Sequence, residues 1–380
     1  MKIVGIDGNE ANVKNRLGVN VYAFETLWAI YRLQDEWKED FKFVIFLGEK
    51  PLADLPKEIK KTWEYQVIPG KTLWILTKLT PYLLFSQKKP HLLFSPSHYT
   101  VPIAVMPRIC SIMDLGYLKF SEQFNKLTFW QLKYWTAISI FVSKHIIAIS
   151  NATKKDIVRH YPFTLKKVSV TYLGYDRKRF NKDISEKDVR RIKKKYSIVD
   201  DYILFLGTLK PSKNLEGIIQ AYSSILNSQF SISKVKLVIA GKKGWLYDLI
   251  FKKVKDLGLE KDIIFTGFVP EEDKPALLKG AKLFLSPSFS EGFGLNVLEA
   301  LACGTPCIVS NLGSLPEVVG KAGVFVNPYS PVSIEKGIKR ILKLPKKDYN
   351  KLVYDSLFQA KKFSWQKTAQ ETLALFRKII

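Results

Sequence analysis

Residues 286–317, SPSFSEGFGLNVLEALACGTPCIVSNLGSLPE, set two carboxylates, Glu291 and Glu299, around a pair of glycines, Gly292 and Gly294. Glycines at the start of a helix let backbone amides approach an anion, and the helix dipole favours negative charge there. Along a helix, eight residues rise about 12 Å at ~1.5 Å per residue. That is the span from the sugar of a nucleotide-diphosphate sugar, across its diphosphate, to its ribose. The pattern predicts phosphates held by the amides of Phe293, Gly294, Leu295 and Asn296, with a carboxylate at each flank. Two glutamates alone are usually exposed surface acids; the ordered run carries the stronger reading.

Such a site needs strands that end at glycine turns, and the chain supplies them repeatedly. The apolar run 282–286 reads as a buried strand, and the segment from Glu291 opens a helix with Leu295, Leu298, Leu301 and Ala302 on one face. Cys303-Gly304-Thr305-Pro306 stops that helix before the next strand. Upstream, strand 202–206 meets Gly207-Thr208-Leu209-Lys210-Pro211-Ser212-Lys213. There Lys213 is either a cation for a diphosphate or a surface lysine. Strand 236–240 meets Gly241-Lys242-Lys243-Gly244, and strand 263–267 runs into Phe268 and Val269. In the first half, strand 2–6 meets Asp7-Gly8, and Gly18 precedes a helix; Gly18 is either a ligand-approaching glycine or an ordinary loop residue. His98 and Asp114 follow two further strands, His98 offering either a cleft imidazole or an ordinary loop histidine. Alternating strands and helices with ligands at strand carboxyl ends predict a doubly wound α/β protein.

A chain of 380 residues is too long for one ordinary core and suits two domains. The 60 Lys+Arg against 35 Asp+Glu leave a net charge of +25 and call for an anionic partner: nucleic acid, an anionic membrane face or a phosphorylated substrate. The lysines lie in short clusters among acids, with no long basic arm, so no nucleic acid is expected. Three cysteines make no disulfide framework and no metal-ligand spacing with the four histidines, as suits buried thiols in a reducing cytosol. The opening strand leaves no room for a signal peptide, and the run 136–150 is too short to span a bilayer. A cytoplasmic protein is expected. The aromatic, basic stretch 74–89 is either a packed helix broken at Pro81 or a patch that meets lipids or a lipid-linked acceptor at the inner membrane face.

The run from Glu291 to Glu299 resembles the Glu-x7-Glu motif of the retaining, metal-independent glycosyltransferases of family 4, which have the GT-B fold. Glu-Gly-Phe-Gly-Leu, Ala-Cys-Gly-Thr-Pro and Gly313-Ser314-Leu315-Pro316-Glu317 agree with that family in order. The resemblance implies two Rossmann-like domains facing a central cleft. Residues 1–175 with a returning C-terminal helix, 364–380, would form the acceptor side, and 176–363 would bind the nucleotide sugar. It implies donor contacts by Gly18, Gly207, Thr208, Lys210, Lys213, Gly241, Lys242, Phe268, Val269, Gly292, Phe293, Gly294, Leu295, Asn296 and Glu299. It gives Glu291 and Asp114 catalytic places, with His98 as the available imidazole. Family members have His-Asp-Leu where this chain has Met113-Asp114-Leu115, so that histidine is absent. An arginine of the phosphate loop is also absent, its places held by Thr208 and Ser212, with Lys210 close by.

The implied activity is transfer of a sugar, mannose or rhamnose, from a nucleotide-diphosphate sugar to a saccharide or lipid-linked acceptor in polysaccharide assembly. No cofactor and no metal site are expected, since no Asp-x-Asp pair is available to clasp an ion against the diphosphate. Three competitors remain. A dinucleotide oxidoreductase lacks its Gly-x-Gly-x-x-Gly after the first strand. A basic nucleic-acid binder conflicts with glycine turns at strand ends. A catalytically weak family member fits the missing histidine and arginine.

Overall fold

The computed structural model describes residues 1–123, 125–228 and 235–380, in two compact units. Unit 1 comprises Met1–Gly174 with Ser364–Ile380, and unit 2 comprises Tyr175–Phe363.

Unit 1 is built on strands β1 (Lys2–Asp7), β2 (Phe41–Leu47), β3 (Trp63–Val67), β4 (Leu92–Ser95), β5 (Arg108–Ile112), β6 (His145–Ala148) and β7 (Val168–Val170). They pair in parallel in the order β3-β2-β1-β4-β5-β6-β7. Strands such as Leu92–Ser95 are buried throughout, which is why they read as unbroken apolar runs with no alternation. The last helix, Trp365–Ile379, starts where the Ser364 hydroxyl accepts the Lys367 amide at 3.1 Å. It buries Ala369, Leu373 and Phe376 in this unit, and the Phe376 ring meets Phe94 at 5.4 Å. Burying a ring of that size contributes about 1.5–3 kcal/mol.

Unit 2 repeats the plan with β8 (Asp201–Leu206), β9 (Val235–Ala240), β10 (Ile263–Gly267), β11 (Leu283–Ser286), β12 (Cys307–Ser310) and β13 (Gly323–Val326). The order is β10-β9-β8-β11-β12-β13, again parallel. In each sheet the winding reverses once, between β1 and β4 and between β8 and β11. Loops leaving neighbouring strands diverge there, so the carboxyl ends open a crevice suited to a ligand.

Three local expectations change. Residues 75–85 are not broken at Pro81: a wide turn, Ile75–Leu79, runs directly into helix Thr80–Phe85. Pro81 sits in the first turn of that helix, where its missing N–H is no loss, and the Thr80 hydroxyl donates to the Ile75 carbonyl at 2.7 Å. Trp74, Leu79 and Leu83 from this stretch are buried in a cluster with Phe46 and Leu93, the packed alternative. The third change concerns the helix read from Glu291, which begins at Leu295.

Candidate active site

At the reversal point of unit 2, the turns after β8 and β11 are tied together. After β8 the chain makes a single tight turn, Pro211–Lys213, and Asn214 adopts the left-handed conformation at φ 58°. The Asn214 amide group donates to the Pro287 and Pro328 carbonyls at 3.1 and 2.6 Å, and Phe289 N–H donates to the Ser212 carbonyl at 3.0 Å. This brings Lys213 to Glu291, where its ammonium donates to Glu291 Oε1 in a largely buried ion pair. Ser288 Oγ donates to the same oxygen at 3.0 Å. The backbone carrying Glu291 is fixed by Ser314, whose hydroxyl lies 2.9 Å from the Glu291 carbonyl and 3.0 Å from that of Phe293.

Gly294 explains why the helix starts late. Its φ of 100° and ψ of 53° put it in the left-handed region, where a side chain is strained, and a Cβ would meet Leu315 at 2.6 Å. Helical geometry therefore begins at Leu295, and the Val297 and Leu298 amides bond back to the Gly294 carbonyl at 3.0 and 3.1 Å. The amides of Leu295 and Asn296 precede the first intrahelical bond, as at any helix start. Gly292 and Phe293 belong to the preceding turn, Phe293 buried edge-on against Phe363. The eight-residue spacing of the glutamates thus crosses a turn and then a helix.

Glu299 has a separate neighbourhood. Burial pushes its carboxyl up to about 7, opposed by the Lys274 and Arg179 cations and reinforced by Glu271 and Asp176. Its Oε2 is buried without a hydrogen-bond partner. Arg179 and Lys274 are both bound to Glu271, so the two cations near Glu299 are already engaged by another carboxylate.

The other loops of this edge are stitched by backbone. Gly207 N–H donates to Ala240 O at 2.9 Å, Gly241 N–H to Gly267 O at 2.8 Å, and Leu209 N–H to Lys242 O at 3.0 Å. Gly241 has φ 143°, and a Cβ there would lie 1.8 Å from the Gly207 carbonyl oxygen, so only glycine fits. Asn296 Nδ2 donates to Leu206 O at 2.8 Å, which joins the first turn of helix Leu295–Ala302 to the end of β8 beside Gly207 and Thr208. Lys210 sits 5.0 Å over the Trp245 ring. Lys242 and Phe268 are exposed, while Val269 is buried.

Gly18, His98 and Asp114 lie in unit 1. Gly18 immediately precedes helix Val19–Arg32. His98 and Asp114 follow β4 and β5, which are adjacent strands. Burial lowers the His98 pKa, with Asp114 pulling it back up, and its Nδ1 is buried without a partner. Asp114 accepts the Gly116 amide at 2.7 Å. Met113 is buried and its carbonyl accepts the Thr153 hydroxyl at 3.0 Å. Two acids at the end of β1 join this edge: burial pushes Asp7 up to about 7 and raises Glu10, whose Oε2 accepts Asn20 Nδ2 at 2.6 Å.

The residues that sequence reasoning passed over are supports. Ser288 and Ser314 lie inside the quoted run 286–317, so their positions were available. The companions of Glu299, from residues 176–179 and 271–274, carry no pattern that links them to it.

Two parallel sheets with this winding make the chain a GT-B protein. Its fold matches, over 100% of both chains at a TM-score of 0.75 and 16% identity, that of the Anabaena protein HepE in complex with UDP-glucose. Residues 188–356 match the family model of glycosyl transferases group 1. It is 32% identical over 241 residues to the O-antigen chain mannosyltransferase B of Escherichia coli, which is 63% of this chain and 62% of that protein. It is also 32% identical over 237 residues to the serotype-specific mannosyltransferase WbdA of Escherichia coli, 62% of this chain and 29% of that one. The chain thus spans less than two thirds of the length of these curated relatives.

Proposed function

We propose that this chain is a retaining, metal-independent glycosyltransferase that moves a hexose from a nucleotide-diphosphate sugar to a saccharide or lipid-linked acceptor in polysaccharide assembly. The observation that carries the reading is the meeting of Lys213, Glu291 and Ser288 where the sheet of unit 2 reverses, just before a glycine-started helix. In this reading Lys213 and the amides of Leu295 and Asn296 bind the diphosphate. They stabilise the charge that grows on it as the glycosidic bond breaks. Glu291 accepts hydroxyls of the transferred sugar and positions its ring. Glu299 accepts the ribose hydroxyls, and the backbone at Gly267–Val269 meets the base. Retention follows if the leaving phosphate itself takes the acceptor proton, since no carboxylate here is an evident nucleophile. Asp114 and His98 serve the acceptor side.

Mannose is preferred over rhamnose because both mannosyltransferase relatives carry that sugar in their names. The test is release of nucleoside diphosphate from a panel of GDP- and UDP-sugars with a chelator present, followed by assignment of the product anomer. The expected result is release without added metal and an anomer matching the donor. Activity that vanishes with chelator and returns with a divalent ion, or an inverted product, overturns the mechanism. Absence of release with every donor overturns the activity.

A further inference from the structure

An apolar surface that the candidate site does not use lies on unit 1, along helix Lys126–Val142. This helix contains no acidic residue. At ~100° per residue, Leu127, Trp130, Tyr134, Ile138 and Phe141 fall within an arc of roughly 80°. They are 84%, 44%, 56%, 45% and 73% exposed. The opposite face, with Thr136, Ser139 and Ile140, is buried on the unit's core. The stripe is organised: Trp130 and Tyr134 stack at 5.3 Å, and Phe141 meets the exposed Phe163 edge-on at 6.0 Å. Leu165, also exposed, extends it.

The charge carried by the stripe's own helix is cationic. Lys126 and Lys133 lie along one shoulder of the helix, with Lys133 Nζ 4.8 Å from the Trp130 ring centre. In sequence, residues 121–166 hold seven basic side chains, at 126, 133, 144, 154, 155, 159 and 166, against two acids, Glu122 and Asp156. Asp156 is already paired with Lys119 at 2.7 Å. A contiguous exposed apolar stripe marks an interaction surface, and its rim states the partner's charge. Two copies meeting through this stripe would press lysine against lysine. A nucleic-acid backbone would match the lysines and leave five large apolar groups without a partner. Anionic phospholipid supplies both complements at once: acyl chains for the stripe and phosphates for the rim.

We propose that helix Lys126–Val142, together with Phe163 and Leu165, lies in the plane of an anionic phospholipid surface, apolar stripe inward. At about 25 Å long and polar on its buried side, the helix lies on the bilayer. Among the described residues no helix is long and apolar enough to cross one. The inference does not depend on which sugar the chain transfers.

Co-sedimentation of the full chain with vesicles of phosphatidylcholine, alone or mixed with phosphatidylglycerol, tests it. The expected result is binding to the mixed vesicles that weakens as salt rises. The Trp130→Ser/Tyr134→Ser/Phe141→Ser variant should lose at least roughly tenfold in partitioning, and Lys126→Gln/Lys133→Gln should lose less and respond less to salt. Val199→Ser, another exposed apolar position, should bind like the parent. Acyl-brominated lipid should quench the parent's fluorescence, and Trp130→Phe, which keeps the fold, should remove part of that quenching. No binding to mixed vesicles, undiminished binding by the triple variant, or quenching unchanged in Trp130→Phe would overturn the proposal. So would a dimer that the triple variant dissociates, which would assign the stripe to a second copy.

Discussion

Replacing Glu299 with glutamine should make unit 2 more stable and its donor site weaker, with the stability gain set by pH. The carboxyl is held up to about 7 by burial, against an ordinary value of 4.5, and its Oε2 has no hydrogen-bond partner. Between those two pH values the folded protein binds more protons than the unfolded chain, so stability falls as pH rises through the interval and levels off above it. At ~1.4 kcal/mol for each tenfold change in proton affinity, the full penalty is roughly 3–4 kcal/mol. Glutamine has the same shape and no charge, so it removes the penalty. For a unit of this size, the melting temperature at about pH 8 should rise by roughly 6–16 °C, and at about pH 4.5 it should hardly move. Calorimetric melting of parent and variant across that range measures the difference directly. In the proposed function Glu299 accepts the ribose hydroxyls, so the same substitution should weaken donor binding about tenfold, and Glu299→Ala by about 2–3 kcal/mol, through loss of charge-assisted bonds. A gain that is equal at both pH values, or a loss at high pH, would show that the buried charge is not the cause.

Other outcomes follow from single contacts. Lys213→Met should weaken nucleoside diphosphate binding by about 1.5–3 kcal/mol in titration calorimetry while affecting the monophosphate less. Gly241→Ala forces a Cβ to within 1.8 Å of the Gly207 carbonyl oxygen, so its denaturation midpoint should fall by the equivalent of about 3 kcal/mol or more. His98 is buried with a lowered pKa, so the unfolded chain gains protons first. Stability should therefore decline as pH falls through about 6.5, and His98→Gln should flatten that decline in acid melting series.

Much of the fold was legible because parallel strands buried on both faces announce themselves as apolar runs, as in β8 and β9. The order of the glycine turns after them was equally open to reading. What escaped depends on long-range contact. Stretches 74–85 and 126–142 look alike in sequence, aromatic, apolar and basic, yet the first packs Trp74, Leu79 and Leu83 against β2 and β4 while the second turns five large side chains outward. Periodicity gives a helix a face; only the surrounding elements decide whether that face is covered. The site divides the same way. Residue types and spacing marked Glu291, Glu299 and Lys213, whereas the left-handed Gly294 that delays the helix was hidden, because glycine is compatible with either backbone region.

The pairing of Lys213 with Glu291 has a consequence for ligand order. Sequence spacing put the two at different parts of a donor, the lysine at the diphosphate and the glutamate at the sugar; the structure joins them in one ion pair sharing Ser288. A diphosphate is a stronger partner for an ammonium than one carboxylate, so under the proposed function an arriving donor would draw Lys213 away and leave Glu291 to accept a sugar hydroxyl. A nucleoside diphosphate without its sugar would draw the lysine equally but leave a largely buried carboxylate short of a donor. Glu291→Gln removes that competition. It should bind nucleoside diphosphate as tightly as the parent or about 0.5–1 kcal/mol tighter, while transfer falls at least roughly a hundredfold for want of a positioned sugar. If Glu291→Gln instead weakened nucleoside diphosphate binding as much as Lys213→Met does, the ion pair would be a scaffold for the lysine, and the exchange described here would be wrong.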